Sequence, residues 1–222
     1  MEFGIENCHM WIRLGSRKLL NDDYLAGMWR TDLPLGLLWV ATRGGKAQRS
    51  ARIPSWSWVS TDGPVHSGRR APASVLQSVK VTLEVLEVHV DIPGIDPFGE
   101  VRTAYLNGRG RMHKAFRGAE KISKDSGGWP YATGEMPLLD SIGTDIGEVL
   151  FDDARLDQAP LGFDCLEICY GVTRYSNDSR CYFLVLTSTE RIEEYKRIGA
   201  GYSARISQDS FDKDELRSFS LV

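Results

Sequence analysis

The sequence predicts a mainly β protein: an antiparallel β-barrel or strongly curved sheet, with one or two short helices near its N-terminus. Three observations carry this. Apolar and polar residues alternate with period two across 79–90, 101–116 and 163–172. Residues 180–186 are apolar on both faces, as in a central strand. The segments 163–172, 180–187 and 195–206 are spaced like consecutive antiparallel strands.

Residues 1–20 read as a strand that joins the sheet or as the remnant of a lost preceding domain. Asn21-Asp22-Asp23 offers capping oxygens, and Tyr24, Leu25, Met28 and Trp29 recur at helical spacing. Pro34 suits the start of a helix better than its interior, so two short helices are expected, roughly 24–31 and 33–40. Gly44-Gly45 and the polar run 46–52 form a loop. Pro54 favours extended backbone, which places Trp56 and Trp58 on one face. Trp29, Trp39, Trp56 and Trp58 are four of the six tryptophans. They read as a core that clamps helices to a sheet, or else as a ligand-stacking cage.

Residues 75–92 read as one long strand. Its parity flips after Val85, and a β-bulge at Val85-Leu86 restores a single apolar face; without it Glu87 and His89 would point inward. In 101–116, Ala104, Leu106, Gly108, Gly110 and Met112 share one face, and Tyr105, Asn107, Arg109, Arg111 and His113 the other. The two glycines imply close approach by a backbone, a ring or a ligand. Arg109, Arg111 and His113 form a basic stripe, either a solvated face or an anion-recognising edge. The irregular stretch 118–141 reads as a lid, a binding loop or a disordered loop, with Trp129 and Tyr131 closing over something. A strand follows at 146–152. In 163–172, Leu166, Ile168, Tyr170 and Val172 alternate with Cys165, Glu167, Cys169 and Gly171. The tail 209–222 begins as a short acidic helix and ends as an edge strand.

The chain has 222 residues and a net charge of −3 with both signs interspersed. A single β-rich domain over 1–222 is expected, with 20–63 packing on the barrel. The charge argues against nucleic acid as a partner. No apolar run is long enough to span a bilayer. The first residues lack a basic start and a small-residue cleavage site, so a cytoplasmic location is expected. Cys8, Cys165, Cys169 and Cys181 lack zinc-site spacing and are expected to be reduced, several of them buried. His9, His66, His89 and His113 lack metal-ligand spacing, and neither a metal nor any other cofactor is expected. No nucleophile elbow or phosphate loop is present, and Gly108-Arg-Gly-Arg is too short for a dinucleotide fingerprint.

Tyr24-Leu-Ala-Gly-Met-Trp29, then Gly36-Leu-Leu-Trp39, then Pro54-Ser-Trp-Ser-Trp-Val-Ser60 resembles the C-terminal, β-rich region of fungal heterokaryon-incompatibility (HET) domain proteins. The weaker runs from Cys181, from Tyr195 and from Phe219 fit the same pattern, so the resemblance covers residue 20 to the end. Motifs of the family's N-terminal HET domain are absent from this sequence, and that domain's roles do not carry over. Two functions are compatible with the resemblance. The first is a non-catalytic domain that binds a small apolar metabolite or another protein. The second is a cofactor-independent cyclase or isomerase that positions a substrate in an aromatic-lined cavity. Its catalytic candidates are His113, Arg111, Asp62, Glu87 and His89. Its ligand-binding candidates are Trp29, Trp39, Trp56, Trp58, Tyr105, Trp129 and Tyr131.

Overall fold

Alternation along the backbone, rather than helical periodicity, organises the chain. The computed structural model describes residues 21–41, 52–66, 72, 75–94, 99–118, 135–153, 161–174, 178–203 and 216–222. The strands among these are β1 (Tyr24–Leu25), β2 (Met28–Trp29), β3 (Val40–Ala41), β4 (Val65–His66), β5 (Lys80–Val81), β6 (Glu84–Asp91), β7 (Thr103–Arg117), β8 (Glu135–Leu139), β9 (Asp145–Phe151), β10 (Gly162–Val172), β11 (Ser179–Ser188), β12 (Glu194–Ser203) and β13 (Leu216–Leu221). The described residues contain no helix of seven residues or more; their named helical elements are three short 3-10 turns, at Arg30–Asp32, Leu35–Leu38 and Trp58–Ser60.

The two N-terminal helices are therefore corrected. Strands β1 and β2 form a hairpin that turns at Ala26 (φ 44°) and Gly27 (φ 105°). Two successive left-handed residues suit a tight β-hairpin and end any right-handed helix. The spacing of Tyr24 and Trp29 is that of a cross-strand pair, with ring centroids 5.3 Å apart. The second expected helix is only the 3-10 turn Leu35–Leu38, preceded by a cis Leu33–Pro34 peptide. Asp22 does not cap an α-helix; its carboxylate accepts from the Thr31 hydroxyl (2.6 Å) and amide (3.2 Å).

Nine strands form one sheet, antiparallel except where β13 runs parallel to β12. Strand β7 pairs with β8, β8 with β9, β9 with β12, β12 with β11, β11 with β10, and β10 with β7 again. The path of pairings thus returns to its starting strand. The expected succession of three antiparallel strands is present as β10, β11 and β12. Both faces of these strands are buried. Phe163, Cys165, Phe183, Val185, Val149, Met136, Leu138 and Ala115 belong to one apolar cluster. Leu166, Leu184, Leu186, Leu150 and Ala200 belong to a second, which also takes Leu37, Leu38, Val40 and Trp56 from the N-terminal segment.

The bulge in β6 lies where the parity flip placed it, the register shifting between Val85 and Glu87. Leu86 is the extra residue and is exposed, while Val85, Val88 and Val90 pack against the core. Glu87 and His89 face solvent. The long strand expected over 75–92 is broken, however, with β5 pairing to β10 and β6 to β7. A second bulge, in β10 between Glu167 and Cys169, was not foreseen. It reverses the later parity, so that Tyr170 packs against the cluster holding Cys165, and Cys169 joins the cluster holding Leu166. The stretch read as irregular contains β8. Strand β13 is not an edge, since it pairs with β7 on one side and β12 on the other. Residues 1–20, the acidic helix expected at the start of the tail, Cys8, His9, Trp129 and Tyr131 lie outside the described residues.

Candidate functional site

Strands β6 and β7 together carry four of the five catalytic candidates: Glu87 and His89 on β6, Arg111 and His113 on β7. The even-numbered residues Leu106, Gly108, Gly110 and Met112 are buried. Close approach at the glycines is real: a Cβ at 108 would lie 2.7 Å from the Phe219 ring and 2.8 Å from the Glu84 carbonyl, and one at 110 would lie 2.6 Å from Leu166. The odd-numbered residues Tyr105, Asn107, Arg109, Arg111 and His113 form the opposite row. In register beside them, β6 sets Glu84 opposite Arg109, Glu87 opposite Asn107 and His89 opposite Tyr105.

This face is pre-ordered. The Glu87 carboxylate accepts from the Tyr105 hydroxyl (3.1 Å) and the Asn107 amide (3.1 Å). His89 stacks on Tyr105 with centroids 5.0 Å apart and planes 20° apart. The bond to Glu87 stabilises the neutral phenol of Tyr105 and raises its pKa. Arg109 is exposed and Arg111 half-buried. His113 pairs with Cys165 of the apolar cluster, so the row runs from open sheet toward the end of the ring. One step past the last paired residues, Leu166 and Met112, come Glu167, which is buried, and Arg111. Asp62 belongs to a different element, the exposed bend after Trp58–Ser60.

The tryptophans sit apart from that row, and the expected extended face shared by Trp56 and Trp58 does not form. Ser57 instead caps the turn Trp58–Ser60, its hydroxyl accepting from the Val59 amide (3.1 Å). Trp56 is wholly buried and Trp58 partly so. The Ser57 hydroxyl donates to the Ala26 carbonyl, and the Trp58 indole donates to the Gly27 carbonyl. The two halves of the tryptophan signature are therefore halves of one contact: the hairpin turn presents carbonyls, and Ser57-Trp58 fills them. Trp39 is buried, its indole donating to the Trp56 carbonyl (2.9 Å). Trp29 packs edge-on against Tyr24.

Sequence reasoning missed a buried ion pair. Arg197 on β12 and Asp152 just after β9 form an ion pair at 3.0 Å, with side chains 0% and 7% exposed. The Arg197 guanidinium also donates to the Trp39 carbonyl (2.5 Å) and lies 3.3 Å from the centre of the Trp39 ring. The signal available was Asp152 at a strand end and Arg197 in an otherwise apolar run, which does not show that the two meet. Cys165, Cys169 and Cys181 are free and buried, as expected, and burial pushes their thiols up, Cys169 to about 12. Thiols so raised are poor nucleophiles. Among the described residues no group of three or more metal-ligating side chains converges, and no helix is long and apolar enough to cross a membrane.

No protein family, curated protein or solved structure matches the chain.

Proposed function

We propose that this is a non-catalytic β-barrel domain, related to the C-terminal region of HET-domain proteins, that binds a protein partner through the outward face of β6 and β7. The carrying observation is the contrast between two surfaces. Phe151, Phe163, Phe183, Met136 and Leu138 belong to one apolar cluster and are each at most 9% exposed, so the space between their strands is occupied by the chain's own side chains. The outward face carries Glu87, His89, Tyr105 and Asn107 in one bonded and stacked array, with Arg109 beside them. Tyrosine and arginine are the residues that anchor protein interfaces, and side chains already ordered lose less entropy on binding. The HET relationship is supported by the lock between the Ala26-Gly27 turn and Ser57-Trp58, which gives the paired motif a structural reason to occur together.

A photo-crosslinking residue at position 105 tests the reading. It should trap one discrete protein in lysate from the native source, and Arg109→Glu should abolish that product while a crosslinker at exposed Ile192 gives none. Equal trapping at both positions, or a product indifferent to Arg109→Glu, would overturn it. The cyclase or isomerase alternative draws support from Arg111 and His113 lying at the end of the ring beside buried Glu167. Turnover of a small metabolite that is lost in His113→Ala would establish it over the binding reading.

A further inference from the structure

The contact between the tryptophan-rich segment and the sheet is built around one buried arginine. Arg197 joins pieces of chain far apart in sequence. Its backbone amide donates to the Ser55 hydroxyl (2.9 Å), which in turn donates to the Val222 carbonyl. Its side chain donates to the carbonyls of Trp39 and Gly199 and to the Asp152 carboxylate, while stacking on Trp39. Strand β3, which begins right after Trp39, packs against β9, which ends right before Asp152.

Among the described residues the ion pair is only half-satisfied: Asp152 Oδ2 and Arg197 Nη1 are buried without a hydrogen-bond partner there. The two ions are not equally dependent on each other. Arg197 keeps two carbonyls and an aromatic face when Asp152 is neutral, whereas among the described residues Arg197 is the one hydrogen-bond donor to the Asp152 side chain. Burial therefore penalises ionised Asp152 more than the pairing returns.

We propose that Arg197 and Asp152 form an acid-tightened clasp that fastens the tryptophan-rich segment to the sheet. Among the described residues the charged groups bearing on Asp152 are Arg197 from β12 and Asp153 next to it, and β3 adds no titratable side chain. Burial first, opposed by Arg197 and aided by Asp153, pushes the Asp152 carboxyl from 3.8 up to about 6. A carboxyl raised in this way stabilises the closed form fully below its ordinary value, and that contribution is lost as pH rises through about 6. The clasp is thus tighter in mild acid than at neutral pH, the reverse of a salt bridge that fails on acidification.

Amide exchange at Val40 and Ala41 reads the clasp directly. After correction for intrinsic rates, their protection should rise about tenfold from about pH 7.5 to about pH 5, with no such rise in Asp152→Asn. A parallel rise in the variant overturns the proposal. Should Asp152→Asn fail to fold, the carboxyl carbon of Asp152 is titrated in the unmodified protein by NMR. A midpoint near pH 6 supports the clasp, and one below about pH 4 overturns it.

Discussion

The interior of the strand ring and the tryptophan-rich segment are both buried, but different chemistry holds them. In the ring, apolar side chains from successive strands meet where backbone alternation directs them, and the glycines let strands close in. A Cβ at Gly201 would lie 2.4 Å from the Glu148 carbonyl and 2.6 Å from the Phe183 ring. In the segment, side chains bond to distant backbone: Ser57 to Ala26, Trp58 to Gly27, Trp39 to Trp56, Arg197 to Trp39. The first region tolerates any apolar residues of suitable size and parity. The second needs particular donors facing particular carbonyls, which accounts for its density of serine and tryptophan.

The largest expected effect breaks the ring. Phe183→Ala empties a wholly buried site and should lower unfolding free energy by about 3–5 kcal/mol in urea titration, with a single cooperative transition. A loss under about 1 kcal/mol would show that the interior is less tightly packed than its burial implies. Gly27→Ala tests the segment. Its φ of 105° disfavours a side chain, and a Cβ would lie 2.9 Å from the Trp58 indole nitrogen. About 1–3 kcal/mol is expected, with a red-shifted tryptophan emission that Phe183→Ala in the ring should not reproduce before global unfolding. The smallest effect concerns the outward face. Glu87→Gln removes the carboxylate that raises the Tyr105 phenol, so its ultraviolet titration should move down while the denaturation midpoint stays unchanged.

What was legible in the sequence follows the same division. Strand β7 was readable face by face over its first part because Leu106, Gly108, Gly110 and Met112 all meet the core, and the β6 bulge was readable because a parity flip would otherwise bury Glu87 and His89. The β10 bulge was not, because both faces of β10 are apolar or buried and a parity change leaves no mark there. The hairpin at Ala26-Gly27 was mistaken for a helix because Tyr24, Leu25, Met28 and Trp29 satisfy either period over so short a stretch. Of the candidate site, the row from Tyr105 to His113 was legible, as was the parity that keeps it off the core. Its assembly with Glu87 and His89 needed the β6–β7 register.

The sequence by itself determined the β character, the order β10–β11–β12, the central burial of β11 and the burial of the described cysteines. Each depends on local period or on residue type. Only the tertiary structure decided that the pairing path returns to β7, that β13 lies between two partners, and that Arg197 meets Asp152 and Trp39. Those contacts join residues tens to more than a hundred and fifty positions apart, and no local pattern encodes which of many buried polar groups will find one another. Their pairing is set by which arrangement leaves the fewest of them unsatisfied once the apolar faces have closed.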